Sequence, residues 1–196
     1  MQQKKNKFAV LSDEELMLHL CKGEVQAFDE IYFRYSKSLF GYFIRMLNFD
    51  KEMAEDALQD LFLKIAESPE KFDASRSFKT WIFSIASNSC KNFYRHKKVV
   101  TDCKQELNYL GEGTNTDEFL KAAAKIDAVE FRKILNEILE ELAPEKKEAF
   151  ILKYQEDKSI ADIAFIQMCP EGSVKSRLHY TLKILEVKLK VFNPAN

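Results

Sequence analysis

At 196 residues, 46% of them hydrophobic and with only 5 Gly and 4 Pro, the chain holds apolar material for one sizeable core or two small ones, and the shortage of turn formers predicts an all-α protein. The formal net charge of −1 conceals a segregation: Ser75 to Val100 carries Arg76, Lys79, Lys91, Arg95, Lys97 and Lys98 without one acid, whereas Thr101 to Glu130 holds more Asp and Glu than Lys. No apolar run approaches the roughly 20 residues of a membrane span, and the opening MQQKKNKFAVLSDEE lacks a secretory stretch, so a cytoplasmic protein without membrane insertion is expected.

Ser12-Asp13-Glu14-Glu15 reads as a capping box ahead of a short helix that ends at Gly23. From about Glu24, Ala27, Phe28, Ile31, Tyr32, Tyr35, Leu39, Phe43, Ile44 and Leu47 recur at helical spacing and form the apolar stripe of a second helix. The third helix, AEDALQDLFLKI, gathers Ala54, Ala57, Leu58, Leu61, Phe62 and Ile65 on one face and Asp56, Gln59, Asp60 and Leu63 on the other. A leucine ringed by carboxylates is how a surface looks when it docks on a basic partner, although single exposed leucines are also common.

The loop SPEKFDASRS precedes a fourth helix with the stripe Phe78, Trp81, Ile82, Ile85, Ala86 and Phe93. Lys91 and Arg95 fall opposite, among Ser84, Ser87 and Asn88, with Phe83 and Tyr94 outside the stripe near that basic face. Such a surface suits phosphates and unpaired bases, and a bundle helix covered on two sides would look the same. The segment VVTDCKQELNYLGEGTNTDE then loses the helical period and reads as a linker.

Beyond it, Phe131 to Leu142 forms an amphipathic helix, Pro144 opens the next, which continues to Tyr154, and Ser159 caps a short one. The turn Met168 to Gly172 leads into a last helix from about Ser173, a helix-turn-helix pattern. On that helix Val174, Leu178, Leu182, Leu185 and Leu189 belong to the core. Ser173, Ser176, Tyr180 and Lys183 point outward, flanked by Lys175 and Arg177, and with His179 the basic residues crowd the first two turns, where a recognition helix meets base edges.

Cys21, Cys90, Cys103 and Cys169 form no Cys-x-x-C pair and stand in no ligand spacing with His19, His96 and His179, so no metal site is expected. Cys90 reads as a small buried hydrophobe and Cys169 as the thiol to watch for reactivity. There is no Gly-rich phosphate loop and no nucleophile beside a base, so neither an enzyme nor a cofactor is called for.

The stretches AFDEIYFRYSKSLF, AEDALQDLFLKI, SFKTWIFSIASNSCKNFYRHKK and LAPEKKEAFILKYQEDKSIADIAFIQMCPEGSVKSRLHYTLKILE, in this order, resemble the extracytoplasmic-function sigma factors of the sigma-70 family, the initiation subunits of bacterial RNA polymerase. The resemblance divides the chain into an N-terminal segment, 1–23, region 2 over 24–98, a flexible acidic linker over 99–128, region 4 over 129–190 and a tail, 191–196. It implies as partners the core polymerase, through its β′ clamp coiled coil and β flap, and promoter DNA. Asp56, Gln59, Asp60 and Leu63 would meet the coiled coil. The loop from Glu67 to Lys79 and the fourth helix, through Phe78, Lys79, Trp81, Asn88, Lys91 and Arg95, would hold the melted minus-10 strand. Ser173, Lys175, Ser176, Arg177, His179, Tyr180 and Lys183 would read the minus-35 element.

An inhibitory anti-sigma factor is common in the family, and no residue here demonstrates one. Tyr180-Thr181 stands where the family usually carries Arg-Ala, which removes one basic contact from the minus-35 surface. The competing reading is a helix-turn-helix regulator acting as a dimer on duplex DNA without polymerase, which leaves the Leu63 face unexplained.

Overall fold

The computed structural model describes residues 7–100 and 128–189. Of the expected linker, residues 101–127, with Cys103, lie outside the described residues, as does the tail. The chain divides into two compact units, with the division between Phe93 and Tyr94. Among the described residues all regular structure is helical, and no helix is long and apolar enough to cross a membrane.

The first unit begins with a 3-10 turn, Lys7–Val10, and α1, Asp13–Cys21. Its capping box forms as the sequence implies: the Glu15 N–H donates to Ser12 Oγ at 3.1 Å and the Ser12 N–H to Glu15 Oε2 at 2.7 Å. Gly23, at φ 82°, supplies the left-handed residue that ends the turn after α1. Then follow α2, Val25–Met46, and α3, Lys51–Glu67, whose N-cap Asp50 accepts from the Met53 N–H at 3.0 Å. A 3-10 turn, Pro69–Lys71, leads to α4, Phe78–Val100, which belongs to the first unit as far as Phe93.

Aromatic rings fasten α2 to α4: Tyr35 meets Phe78 edge to face at 5.3 Å, Tyr42 meets Phe83 at 5.5 Å, and Phe72 of the intervening loop packs on both Phe78 and Trp81. Burying a ring as Phe78 and Phe83 do stabilises by about 1.5–3 kcal/mol each. Phe83 therefore does not lie on an open basic face, because Tyr42 covers it. Ser84 and Ser87 are buried as well. Ser84 tolerates this by donating its hydroxyl to the Trp81 carbonyl at 2.7 Å. Cys90 is buried, as a small hydrophobe should be.

The second unit contains α5, Ala128–Glu140, α6, Pro144–Tyr154, α7, Ile160–Gln167, and α8, Glu171–Leu189. Its core joins Ile138, Leu139, Phe150, Leu185 and Leu189, with Phe131, Ile134, Leu135, Leu142, Leu182 and Ile184 packed around them. Pro144 opens α6 and Ser159 caps α7 by accepting from the Asp162 N–H at 3.0 Å. The last helix starts two residues ahead of the expected Ser173, directly after Pro170.

The helix-turn-helix turn is strained at one point. Met168 closes α7 at φ 55°, ψ 49°, a left-handed conformation that costs a side-chain-bearing residue about 1–2 kcal/mol, and 71% of its side chain is in solvent. Met168→Gly is expected to stabilise this unit by about 0.5–1 kcal/mol in chemical denaturation, the relief exceeding the extra unfolded-state entropy of glycine.

Candidate functional site

The acidic face of α3 forms as its spacing implies. Asp56, Gln59 and Asp60 are exposed, and Leu63 sits among them 55% exposed. The same helix buries Ala54, Leu61, Phe62 and Ile65, so the exposed leucine is on the surface because the opposite stripe already fills the core.

Two further exposed rings stand on α2, one of them against α3. Tyr32, expected in the core stripe, is instead half-exposed and lies with its ring 4.7 Å from that of buried Phe62, and Phe33 is 80% exposed. Phe33 falls outside the periodic set of α2, and the reasoning that found Leu63 on α3 would have found it. The Tyr32 ring, exposed and packed on the helix that carries the acidic face, adds aromatic area of the kind protein docking surfaces use.

The loop before α4 is ordered by its own side chains. Asp73 Oδ1 accepts from the Ser75 N–H at 3.0 Å and from its hydroxyl at 2.7 Å, and Arg76 Nε donates to Asp73 Oδ2 at 3.2 Å. The Ser75 hydroxyl and N–H, helped by the Arg76 charge, hold the Asp73 carboxyl below its ordinary range. Along α4, Trp81, Asn88, Lys91 and Arg95 lie in one strip about 80° wide at 3.6 residues per turn, whereas Lys79 projects about half a turn away. Asn88, Lys79 and Arg95 are exposed and Trp81 and Lys91 are half-buried. Phe78 is fully buried against Tyr35, Phe72 and Trp81. Its expected contact with DNA is therefore corrected: the ring belongs to the core and supports Trp81 from below.

On α8, Lys175, Ser176, His179 and Tyr180 are exposed and Ser173 is half-buried. The His179 and Tyr180 rings meet at 5.6 Å. Thr181 is buried and donates its hydroxyl to the Arg177 carbonyl at 2.8 Å, so of the pair Tyr180-Thr181 only the tyrosine reaches the outer face. Lys183 departs from its expected outward position, because its ammonium nitrogen is covered and, among the described residues, has no hydrogen-bond partner.

Arg177 departs too. Its Nη1 donates to Gln167 Oε1 at 2.7 Å and lies 3.2 Å from Cys169 Sγ, while Gln167 Nε2 donates to the Glu145 carbonyl at 2.9 Å and to the buried Glu148 carboxylate at 3.0 Å. This network ties α8 to the end of α7 and to α6. Replacing Arg177 with Ala is expected to cost the second unit about 1.5–3 kcal/mol, the range for a hydrogen bond involving a charged group. If α8 meets DNA as the resemblance implies, binding should weaken alike across sequence variants of its site; a changed preference at one base position in competition assays would show a base contact instead.

With this geometry, comparison with known proteins is specific. The model of Sigma-70 region 2 matches residues 31–99 and that of Sigma-70, region 4 matches residues 132–185. The chain is 30% identical over 175 residues to the ECF RNA polymerase sigma factor SigW of Bacillus subtilis, covering 86% of this chain and 92% of that protein. It is 26% identical to the ECF RNA polymerase sigma-E factor of Haemophilus influenzae, over 92% of this chain and 96% of that one. Among solved structures, CnrH in complex with the cytosolic domain of CnrY superposes with a TM-score of 0.67 at 18% identity, covering 91% of this chain and 97% of that one. RpoE in complex with the anti-sigma factor NepR from Bartonella quintana superposes with 0.63 at 23% identity, covering 84% and 97%. These two share the fold.

Proposed function

We propose, for a chain that belongs to the extracytoplasmic-function sigma factors of the sigma-70 family, that it binds bacterial core RNA polymerase in the cytoplasm and directs it to promoters, which it helps to recognise and melt. One observation carries the reading: a single chain joins an exposed apolar-acidic face on α3 to a basic helix-turn-helix, and the two region models match in that order. A duplex-binding regulator would need only the second of these.

In the proposed division of labour, residues 24–98 engage polymerase and the minus-10 element, 99–128 link, and 129–190 engage the minus-35 element. Asp56, Gln59, Asp60 and Leu63 meet a basic, apolar surface of the polymerase. The carboxylates steer the encounter and Leu63 supplies the desolvated anchor. Trp81, Asn88, Lys91 and Arg95 hold the unpaired strand, and Lys79, on the other side of the helix, stays outside that strip. Here the cations neutralise phosphates and the indole offers a stacking surface. A base captured outside the stack offsets an unstacking cost of a few kcal/mol, so melting needs no cofactor. Lys175, Ser176, His179 and Tyr180 face the major groove.

Polymerisation is the partner's chemistry, since sigma factors are non-enzymatic initiation factors. The anti-sigma complex of a structural relative supports an inhibitory partner for this chain as well. The deciding experiment mixes the purified chain with core polymerase and genomic DNA and maps transcript starts. New starts that share two spaced upstream elements are expected. A folded chain that neither binds the core polymerase of its own organism nor creates starts would overturn the reading.

A further inference from the structure

α4 begins at Phe78, and its first backbone N–H groups have no partners within the helix. The Thr80 N–H is served locally, by Ser77 Oγ at 3.3 Å. The Phe78 N–H is served from 64 residues away: it donates to Glu14 Oε1 at 2.9 Å, so a side chain of α1 caps α4.

The neighbouring carboxylate acts on the same residue from the other side. Asp13 accepts the Tyr35 hydroxyl on Oδ2 and Arg34 Nη1 on Oδ1, and the Tyr35 ring packs edge to face on the Phe78 ring. Burial, then the Asp13 carboxylate, push the Tyr35 phenol far up from its ordinary range, so it stays a donor. Two consecutive acids in the first turn of α1 thus locate Phe78, one through its amide and one through its ring. The capping box of Ser12 and Glu15 fixes the turn that carries both.

Phe78 is the hinge between the Asp73–Ser77 loop and the strip of Trp81, Asn88, Lys91 and Arg95. We propose that Glu14 is a positioning residue for strand capture: by holding the Phe78 amide it sets where α4 starts, and so where the loop and the outward strip stand relative to each other. This rests on the reading of that surface as the one that holds the melted strand. Glu14 touches no DNA. It acts through Phe78, and polymerase docking on α3 does not depend on it.

The test uses the full chain with core polymerase and a promoter fragment recovered by start-site mapping, with 2-aminopurine in the non-template minus-10 strand. Melting is followed by fluorescence and core affinity by anisotropy, at a temperature where circular dichroism shows every variant folded. Glu14→Ala is expected to slow melting about tenfold, the kinetic equivalent of one charge-assisted hydrogen bond, with core affinity unchanged within about twofold. Glu14→Gln, whose amide oxygen can accept the same N–H, should restore melting to within about twofold of the natural chain.

Unchanged melting in Glu14→Ala overturns the proposal, as does a loss of melting matched by an equal loss of core affinity or a Gln variant as slow as Ala. Should Glu14→Ala not fold, Glu14→Asp carries the same test, its carboxylate one methylene short of the amide. A natural chain that binds core but melts no promoter sinks the underlying reading and this inference with it.

Discussion

Leu63→Asp is expected to weaken binding to core RNA polymerase about 30-fold or more, the 2 kcal/mol or larger loss typical of an interface anchor. Because more than half of the side chain is in solvent, the change should alter the stability of the free protein by no more than about 0.5 kcal/mol. The added charge does harm in two ways: it removes apolar area from the contact and places a fourth polar group among Asp56, Gln59 and Asp60 that must be desolvated on docking. Titration of the labelled chain with core polymerase checks the first expectation and thermal unfolding the second. The acidic surround makes a separable claim. If Asp56 and Asp60 steer toward a basic partner, the association rate of the natural chain falls with added salt. Unchanged core affinity in a folded Leu63→Asp chain would make Leu63 an ordinary exposed leucine.

What could be read from the sequence depended on how local the physics was. The capping box at Ser12, the cap at Ser159 and the proline at the start of α6 are decided within four residues, and they stand as read. The apolar stripes of α3 and α8 were equally legible, because each helix has one dominant buried face. On α4 the sequence left a basic face and a helix covered on two sides both open, and around Phe83 and Ser84 the covered one holds. Phe83 left the stripe only to meet Tyr42, and Ser84 looked solvent-facing but satisfies its hydroxyl on its own helix. Arg177 and Lys183 look like reaching cations on a helical wheel, and only the packing shows that one is tied to Gln167 and the other covered. The Asp73 turn is built from side-chain hydrogen bonds with no periodicity to betray them.

Arg34 is the plainest case of a residue whose role no local pattern reveals, and its loss is expected to be the most damaging to the fold. On a wheel it is a charge on the polar side of α2. In the structure its side chain is only 24% exposed and spans three segments. Nε donates to Glu30 Oε1 at 2.9 Å, Nη1 to Asp13 Oδ1 at 2.8 Å and to the Leu11 carbonyl at 2.9 Å, and Nη2 to the carbonyls of Phe8 and Ala9 at 3.3 and 3.1 Å. Arg34→Met, which keeps an apolar stem, should destabilise the first unit by about 3 kcal/mol, the lower end of the cost of leaving buried charges without their partner. Arg34→Lys should rescue little, since a single ammonium cannot occupy the positions of a planar fork that reaches five acceptors. Local opening should come first: amide exchange over residues 8–20 is expected to accelerate more than exchange in the middle of α2. Loosening α1 in this way also releases Glu14 from the Phe78 amide, so Arg34→Met should slow promoter melting even where most of the chain remains folded. A loss below about 1 kcal/mol would mean instead that burial of Phe8, Leu16 and Met17 suffices to hold the N-terminal segment.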